Sequence, residues 1–177
     1  MAKRVKLIPL TKKYADILLK WRNSPHVTKS SFNQHKISKS EHAAWLNSLL
    51  KDKTRITFLI ILKKEKKPIG KIGLKKIDLV NKRAELEKMI GEEAYQGKGY
   101  ATEAARLLLK HVFKNMGLLK IYAHVLEFNA ANIGLNKKIG FKVEGLLRKR
   151  IFVKNKFVNV VYMGLLREEF KNIVCNE

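Results

Sequence analysis

Apolar residues recur along the chain with two different periods. Residues 11–22 carry apolar side chains three and four positions apart, which is the period of an amphipathic helix. Ser38 and Glu41 have the spacing of a capping box and precede a second apolar stripe of the same kind. Residues 101–116 show the helical period most clearly. Helices are therefore predicted at these three places, and a shorter one is predicted over 130–139.

The other apolar runs are typical of strands. They cover residues 5–10, 55–62, 68–77, 83–91, 119–126, 141–153 and 157–166. The last two runs are joined through Lys154-Asn155-Lys156, which predicts an antiparallel hairpin. This order of elements predicts an α/β (α+β) fold built on one largely antiparallel sheet. We expect one domain over residues 1–177, because neither a linker-like nor a repeated segment interrupts the chain.

The charge is strongly positive: 38 Lys and Arg residues against 15 Asp and Glu residues give +23. Two interpretations are open. The field could attract a polyanion such as nucleic acid, a ribosome or a nucleotide-bearing ligand. Alternatively, the lysines simply cover a solvated surface. Their even spread favours the second interpretation, since even the tightest cluster, residues 63–67, lies at a predicted hairpin tip.

Several classes of protein are excluded by composition. No apolar run is long enough to span a membrane. The single cysteine, Cys175, excludes a disulfide framework and a cysteine zinc site. The five histidines show no HxxxH or HExxH spacing, so no metal is predicted. We therefore expect a cytoplasmic protein that does not bind a membrane.

The segment with the clearest chemical signal follows the predicted strand 83–91. It reads Gln96-Gly97-Lys98-Gly99-Tyr100-Ala101 and leads into the strongest helix. Gly97 and Gly99 allow the backbone to approach a ligand closely, and the helix directs unpaired N–H groups towards the same place. Such a turn can hold phosphate. It matches neither a P-loop nor a complete dinucleotide fingerprint, and a plain tight turn is the alternative.

Two motifs carry a family resemblance. Gln96-x-x-Gly99-x-Ala101 resembles the Q/R-x-x-G-x-G/A acetyl-CoA motif of the GNAT acetyltransferases. Asn129, Asn132 and Lys138-x-Gly140-Phe141 resemble the second conserved segment of that family. The run from Ala84 to Ala104 looks like the branch that contains RimJ/RimL and the spermidine acetyltransferases.

The resemblance implies a fold and a co-substrate. The fourth and fifth strands, 83–91 and 119–126, would splay apart between helices on both faces, and the pantetheine of acetyl-CoA would lie in the gap. The implied cofactor-binding residues are Met89, Ile90 and Gly91 on the fourth strand; Gln96, Gly97, Lys98, Gly99, Tyr100, Ala101 and Thr102 in the turn; and Asn129, Asn132 and Lys137 on the short helix. No metal is implied.

The reaction implied is direct transfer of acetyl to a primary amine. Glu85 and Glu87 share one face of the fourth strand and are the catalytic candidates for taking the proton of the amine, with Glu85 preferred. A surface charge pair is the alternative. The usual acid of the family is a tyrosine five residues before the Phe of the Gly-Phe pair, and here that position holds Asn136. Another tyrosine (Tyr95, Tyr100, Tyr122 or Tyr162) or water would then protonate the thiolate, unless no dedicated acid is needed.

The N-terminal third of the chain is expected to determine which acceptor is bound. Trp21-Arg22-Asn23-Ser24-Pro25 resembles the pseudaminic-acid pathway acetyltransferases, which acetylate a 4-amino sugar attached to UDP. This predicts substrate binding by Trp21, Arg22 and Asn23, with core packing as the alternative for Trp21.

We predict a UDP-linked amino sugar as the acceptor, because its diphosphate suits a charge of +23, whereas a polyamine would be repelled. A RimJ/RimL-like enzyme acting on the N-termini of proteins such as ribosomal proteins is the alternative, followed by a polyamine acetyltransferase. A non-catalytic module that binds nucleic acid or CoA is also open. An edge strand near the C-terminus leaves a homodimer open.

Overall fold

Seven strands form one sheet in the order β1-β2-β3-β4-β5-β7-β6. The computed structural model describes residues 4–153 and 155–175. The strands are β1 Val5–Pro9, β2 Ile56–Leu62, β3 Pro68–Asp78, β4 Arg83–Ile90, β5 Lys120–Leu126, β6 Lys142–Val153 and β7 Lys156–Leu166. Every neighbouring pair is antiparallel except β4 and β5, which are parallel. The mixed, mostly antiparallel sheet is therefore confirmed; Lys154, in the predicted hairpin connection, lies outside the described residues.

The helices confirm the predicted pattern and add to it. They are α1 Ala15–Arg22, α2 Pro25–Thr28, α3 Lys39–Lys51, α4 Tyr100–Asn115, α5 Ala130–Ile139 and α6 Arg167–Cys175. Short 3₁₀ turns at Lys12–Tyr14 and Glu93–Tyr95 flank α1 and α4. Sequence analysis missed α6, and it ended the first helix without detecting α2 or the turn at 93–95.

Two hydrophobic cores lie on opposite faces of the sheet. One joins the sheet to α4, α5 and α6 through residues such as Leu108, Ile139 and Phe170. The other joins it to α1 and α3 through residues such as Leu18 and Leu46. Strand β2 serves both, because Ile60 and Leu62 face the first core while Leu59 and Ile61 face the second. We call these the α4 face and the α1 face of the sheet.

Candidate active site

The sheet opens between β4 and β5. Their pairing runs from Arg83 opposite Lys120 to Glu85 opposite Tyr122 and includes no later residue. Beyond that point β4 continues to Ile90 paired only with β3, while β5 continues to Leu126 paired only with β7. A strand edge left unpaired inside a sheet offers N–H and C=O groups to an extended ligand. We call this opening the splay.

A turn with two left-handed glycines lies beside the splay. Gly97 has φ +70° and Gly99 has φ +83°, values at which a residue with a Cβ is strained. Gly99 is the N-cap of α4 and its helix has no side-chain cap, so the first-turn amides are open to a ligand. Residues 96–99 are exposed. The turn therefore has the backbone geometry and the polarity that suit a diphosphate.

Arg4, the residue before β1, makes several contacts with this turn and with α4. Its Nη1 donates to the carbonyl of Lys98 at 3.2 Å and its Nε pairs with Glu103 at 3.1 Å. The guanidinium also stands 4.5 Å from the centre of the Tyr100 ring. These contacts hold Lys98 and Tyr100 in place and add a positive charge near the amides. Sequence analysis did not detect this role, since Arg4 is far from the motif in sequence.

The backbone groups predicted to contact the cofactor at the end of β4 differ in whether they already have hydrogen-bond partners within the protein. The Gly91 N–H donates to the carbonyl of Ile69 at 2.9 Å, and the Gly91 carbonyl lies 3.0 Å from His26 Nε2, so both groups have partners within the protein. The contact of Gly91 with the cofactor stays a prediction. The Ile90 carbonyl accepts from Gln96 Nε2 at 3.2 Å. This bond ties the turn to the end of β4 through the Gln96 side chain. Met89 and Ile90 remain as candidate backbone partners of the pantetheine.

On α5, Asn129 has a structural function. Its Oδ1 accepts from the Asn132 N–H at 3.1 Å and so caps the helix. Asn132 contributes its backbone to this cap and is partly exposed, while Lys137 is exposed near the end of the helix. Both side chains remain candidates for contact with the cofactor.

Glu85 lies at the point where the splay begins. Its side chain is 5% exposed, and Oε1 lies 3.1 Å from Lys75 Nζ and 3.1 Å from His124 Nδ1. Lys76 Nζ is 3.3 Å from Oε2. Burial acts to raise the pKa of Glu85, but Lys75 and His124 outweigh it and hold that pKa below its ordinary value. Glu85 is thus a fixed carboxylate that bridges β4 to His124 of β5 across the mouth of the splay.

His124 belongs to an aromatic cluster on this face. Its ring centre lies 5.7 Å from Tyr122 and 5.1 Å from Tyr162, and the two tyrosines stack at 5.5 Å. Its side chain is 24% exposed, so it is more accessible than Glu85. Because Glu85 accepts from Nδ1–H in the tautomer that makes this hydrogen bond, Nε2 is left with a free lone pair.

Glu87, two residues further along β4, shares the face of Glu85. It pairs at 3.2 Å with Lys71, whose ammonium lies 5.2 Å from the centre of the Trp45 ring. Burial acts to lower the pKa of Lys71, and Glu87 opposes that effect. For Arg22, likewise, burial lowers the pKa, while Glu87 and Glu41 act to raise it. The surroundings of Glu87 therefore contain at least two partly desolvated cations.

Two of the three predicted substrate contacts have partners within the fold. Trp21 is 1% exposed, packs in the core of the α1 face, and donates from Nε1 to Glu92 at 2.8 Å. The Asn23 side chain bonds both backbone groups of Ile37, at 2.8 Å each. Trp21 and Asn23 therefore stabilise the fold. Arg22 is the member of this trio that stays available, since among the described residues its guanidinium has no carboxylate within salt-bridge distance.

The opposite face of β4 presents a residue that sequence analysis missed. Lys88 Nζ donates to Asn136 Oδ1 at 2.6 Å, and Asn136 Nδ2 lies 3.6 Å from Met163 Sδ. Asn136 is completely buried. Burial lowers the pKa of Lys88 to about 7. A lysine inside an otherwise apolar alternation of Ala84, Leu86 and Ile90 was the available signal.

Residues 4–142 match the family model of the acetyltransferase (GNAT) domain. The chain belongs to the GNAT acetyltransferase family. As a GNAT acetyltransferase it uses acetyl-CoA as co-substrate, and the splay and the glycine turn fit that molecule. Among the described residues, no group of three His, Cys, Asp or Glu side chains could hold a metal ion. Within the same residues, no helix has both the length and the apolar character needed to cross a membrane.

Proteins of similar sequence are also named as N-acetyltransferases. The spermidine N(1)-acetyltransferase of Escherichia coli K12 is 30% identical over 169 residues, which cover 96% of this chain and 89% of the relative. The N-acetyltransferase p20 of Bacillus licheniformis is 31% identical over 160 residues, covering 88% of this chain and 89% of the relative. A solved spermidine N-acetyltransferase from Vibrio cholerae, in complex with CoA and spermine, matches with a TM-score of 0.89 at 24% identity, covering 97% and 100% of the two chains. That last likeness concerns the fold.

Proposed function

We propose that this GNAT N-acetyltransferase acetylates a primary amine carried by an anionic molecule, and that its acceptor is the 4-amino group of a UDP-linked sugar. The observation that carries the proposal is Arg22: a partly buried guanidinium without an ion pair among the described residues. Removing such a charge from water is costly unless an anion compensates for it. A diphosphate supplies that anion, and Arg offers it two parallel N–H donors.

The charges around Arg22 support the same class of acceptor. The positive charges of Lys71, Arg55 and Lys75 act to lower the pKa of Glu87. Glu87 is the carboxylate that pairs directly with Lys71. Because Lys71 pairs with Glu87, Lys75 with Glu85 and Arg55 with Asp52, Arg22 is the cation of this group that is left to attract an anion.

Proton removal is assigned to the Glu85–His124 pair. The acceptor amine must be neutral to attack the thioester, so a base has to take its proton. His124 is the more accessible member of the pair, and Glu85 orients it by accepting from Nδ1. In this assignment Glu85 acts through His124 and Glu87 sets the charge of the acceptor pocket. This proposal differs from the sequence-based prediction, in which Glu85 took the proton, because here His124 meets the proton and Glu85 orients it.

A polyamine is the second candidate, favoured by the similarity to the spermidine N(1)-acetyltransferase of Escherichia coli. The acceptor panel should contain a UDP-linked 4-amino sugar, spermidine and a peptide with a free N-terminus, each incubated with acetyl-CoA. Mass spectrometry identifies the acetylated product, and thiol release gives kcat/KM. The amino sugar should gain one acetyl group with the highest kcat/KM. A higher value for spermidine or for the peptide would refute the proposed acceptor.

The role of Arg22 has a matched control on the same helix. Arg22→Met should raise KM for the UDP-sugar by tenfold or more, because loss of a charge-assisted bond to phosphate costs roughly 1.5–3 kcal/mol. KM for acetyl-CoA should change little. The control is Lys20→Met, which removes an exposed charge from α1. Equal effects of the two variants would indicate a loss of general field and would contradict a direct contact by Arg22.

A further inference from the structure

Lys88 lies on the unpaired part of β4. The last β4–β5 pair is Glu85 with Tyr122, and Lys88 follows it by three residues. Its hydrogen bond to Asn136 of α5, and the contact of Asn136 with Met163 of β7, connect the two sides of the opening. Ile72 is its partner across β3. The Lys88 Nζ is therefore held at the splay by a residue that cannot titrate.

The position of Asn136 makes this contact informative. The family resemblance implies a tyrosine acid at this helix position, whereas the asparagine found here has no acidic proton to give. The Asn136 amide instead accepts from Lys88 and so fixes the direction of its Nζ. A proton donor is thus present beside the position where the family places one, but it comes from β4.

We propose that Lys88 is the catalytic acid of this acetyltransferase, giving its proton to the CoA sulfur, with Asn136 as its positioning residue. The inference depends on acetyl-CoA being the acetyl donor and does not depend on which amine accepts the acetyl group.

The acidity of Lys88 suits this role. Proton transfer from an ordinary lysine, with a pKa near 10.4, to a thiolate whose thiol has a pKa near 8.5 would be thermodynamically unfavourable. Burial lowers the pKa of Lys88 to about 7, so the transfer to sulfur runs downhill. Burial is the only cause of this shift, and Ile72 on β3, Asn136 on α5 and Met163 on β7 carry no charge. The lysine is also partly protonated near neutral pH, as an acid must be.

The step is balanced as follows. The amine nitrogen forms a bond to the acetyl carbon, and the carbon–sulfur bond breaks with its electron pair on sulfur. Lys88 transfers one proton to that sulfur, which leaves as the free thiol of CoA. The proton lost by the acylated nitrogen goes to the base on the other face, and the neutral Lys88 recovers its proton from solvent. The net products are the amide and CoA.

Lys88→Met tests the acid in turnover. The best acceptor of the panel serves as substrate, and kcat should fall by about 10² while KM for acetyl-CoA changes less than threefold, since general acids typically contribute 10²–10⁴. The high-pH decline of kcat due to Lys88 should disappear. The control is Lys110→Met, at an exposed position on α4. A Lys88→Met enzyme with unchanged kcat would overturn the proposal.

Restoring the family residue separates chemistry from folding. In the double variant Lys88→Met/Asn136→Tyr, a tyrosine again occupies the usual position of the acid, and kcat should recover at least tenfold relative to Lys88→Met. A folded double variant that stays as slow as Lys88→Met would count against proton donation at this place. Asn136→Leu keeps Lys88 but removes its acceptor, so it should lower kcat less than Lys88→Met does.

A binding experiment tests the contact without any acceptor. With ¹³C-labelled lysine, the signal absent from Lys88→Met should titrate with a midpoint near 7 in the free protein. CoA should shift that midpoint, and desulfo-CoA, which lacks only the sulfur, should not reproduce the shift. Equal midpoints with the two ligands would exclude a Lys88–sulfur contact. Acetylation of Lys88 itself by acetyl-CoA would also overturn the proposal, because it would show Lys88 acting as a nucleophile.

Discussion

Gly97 and Gly117 offer a matched pair of substitutions at opposite ends of α4. Gly97 has φ +70° and Gly117 has φ +66°, and a Cβ added at either position meets nothing within 4 Å. Alanine at either site therefore introduces backbone strain without a steric clash inside the protein. That strain is roughly 1–2 kcal/mol for a residue with a Cβ in the left-handed region. For a chain of this length each kcal/mol lowers Tm by about 2–4 °C.

Only one of the two glycines lies in the candidate diphosphate site. Gly97→Ala should place its methyl group where the backbone approaches the ligand, whereas Gly117 follows the C-terminal end of α4. Both variants should lose about the same stability in thermal melts. We expect Gly97→Ala alone to weaken CoA binding by tenfold or more, because hydrogen bonds to charged groups contribute about 1.5–3 kcal/mol each.

Calorimetry with CoA and with pantetheine separates the causes. Pantetheine lacks the diphosphate, so its affinity should be equal for wild type and for both variants. A Gly97→Ala protein that binds CoA as tightly as Gly117→Ala does would refute the assignment of this turn. Equal loss of CoA and pantetheine binding would show that the substitution disturbs the splay as a whole.

Three further predictions concern individual side chains. Glu87→Gln should destabilise the protein by about 3 kcal/mol at pH 7, since Lys71 is left buried without its ion pair. Burial acts to raise the pKa of Glu87, but Lys71 and Arg55 outweigh it and hold that pKa below its ordinary value. The stabilisation by Glu87 is therefore present above the unfolded pKa of about 4.3 and is lost as pH falls through the folded pKa. In urea titrations, the difference in stability between Glu87→Gln and wild type should shrink towards pH 3. Asn129→Ala should cost about 1 kcal/mol through loss of the α5 cap, whereas Asn132→Ala should cost little; equal thermal shifts would contradict this difference. Trp21→Phe should cost about 2 kcal/mol by removing the bond to Glu92 and some core packing, but it should leave KM for the acceptor unchanged, and an altered KM would reinstate Trp21 as a substrate contact.

Local sequence patterns were sufficient to predict the sheet and the glycine turn before α4. The strands and the larger helices have clear apolar periods. The glycines at 97 and 99 indicated a backbone with positive φ, which other residues seldom adopt. The amphipathic α6 was missed because it follows β7 directly, without a glycine or proline between the two elements, although Glu169 accepts from the Leu166 N–H at 2.9 Å at the start of the helix.

The contacts within the site depend on tertiary structure and could not be predicted in the same way. Lys88 and Asn136 are separated by 48 positions, and Glu85 and His124 by 39. Whether a tryptophan is a ligand contact or a core residue is likewise decided by packing, as Trp21 shows. A Cβ at Gly91 would overlap the Trp21 ring, so the ring fills the space that only a glycine leaves at the end of β4.

The alternation of β4 separates the two proton transfers that the reaction requires. Glu85 and Glu87 face the side of α1, while Lys88 faces the side of α5. In the proposed mechanism, an amine that approaches from the α1 side would meet the Glu85–His124 pair, and the sulfur would meet Lys88 on the opposite face of β4. Because the carboxylates and the lysine are on opposite faces, they do not neutralise each other as an ion pair, and Lys88 keeps the low pKa that burial gives it. If Lys88 were instead paired with a carboxylate, its pKa would rise and it would protonate a thiolate only uphill. The uncharged amide of Asn136 holds Lys88 in position without raising its pKa in this way.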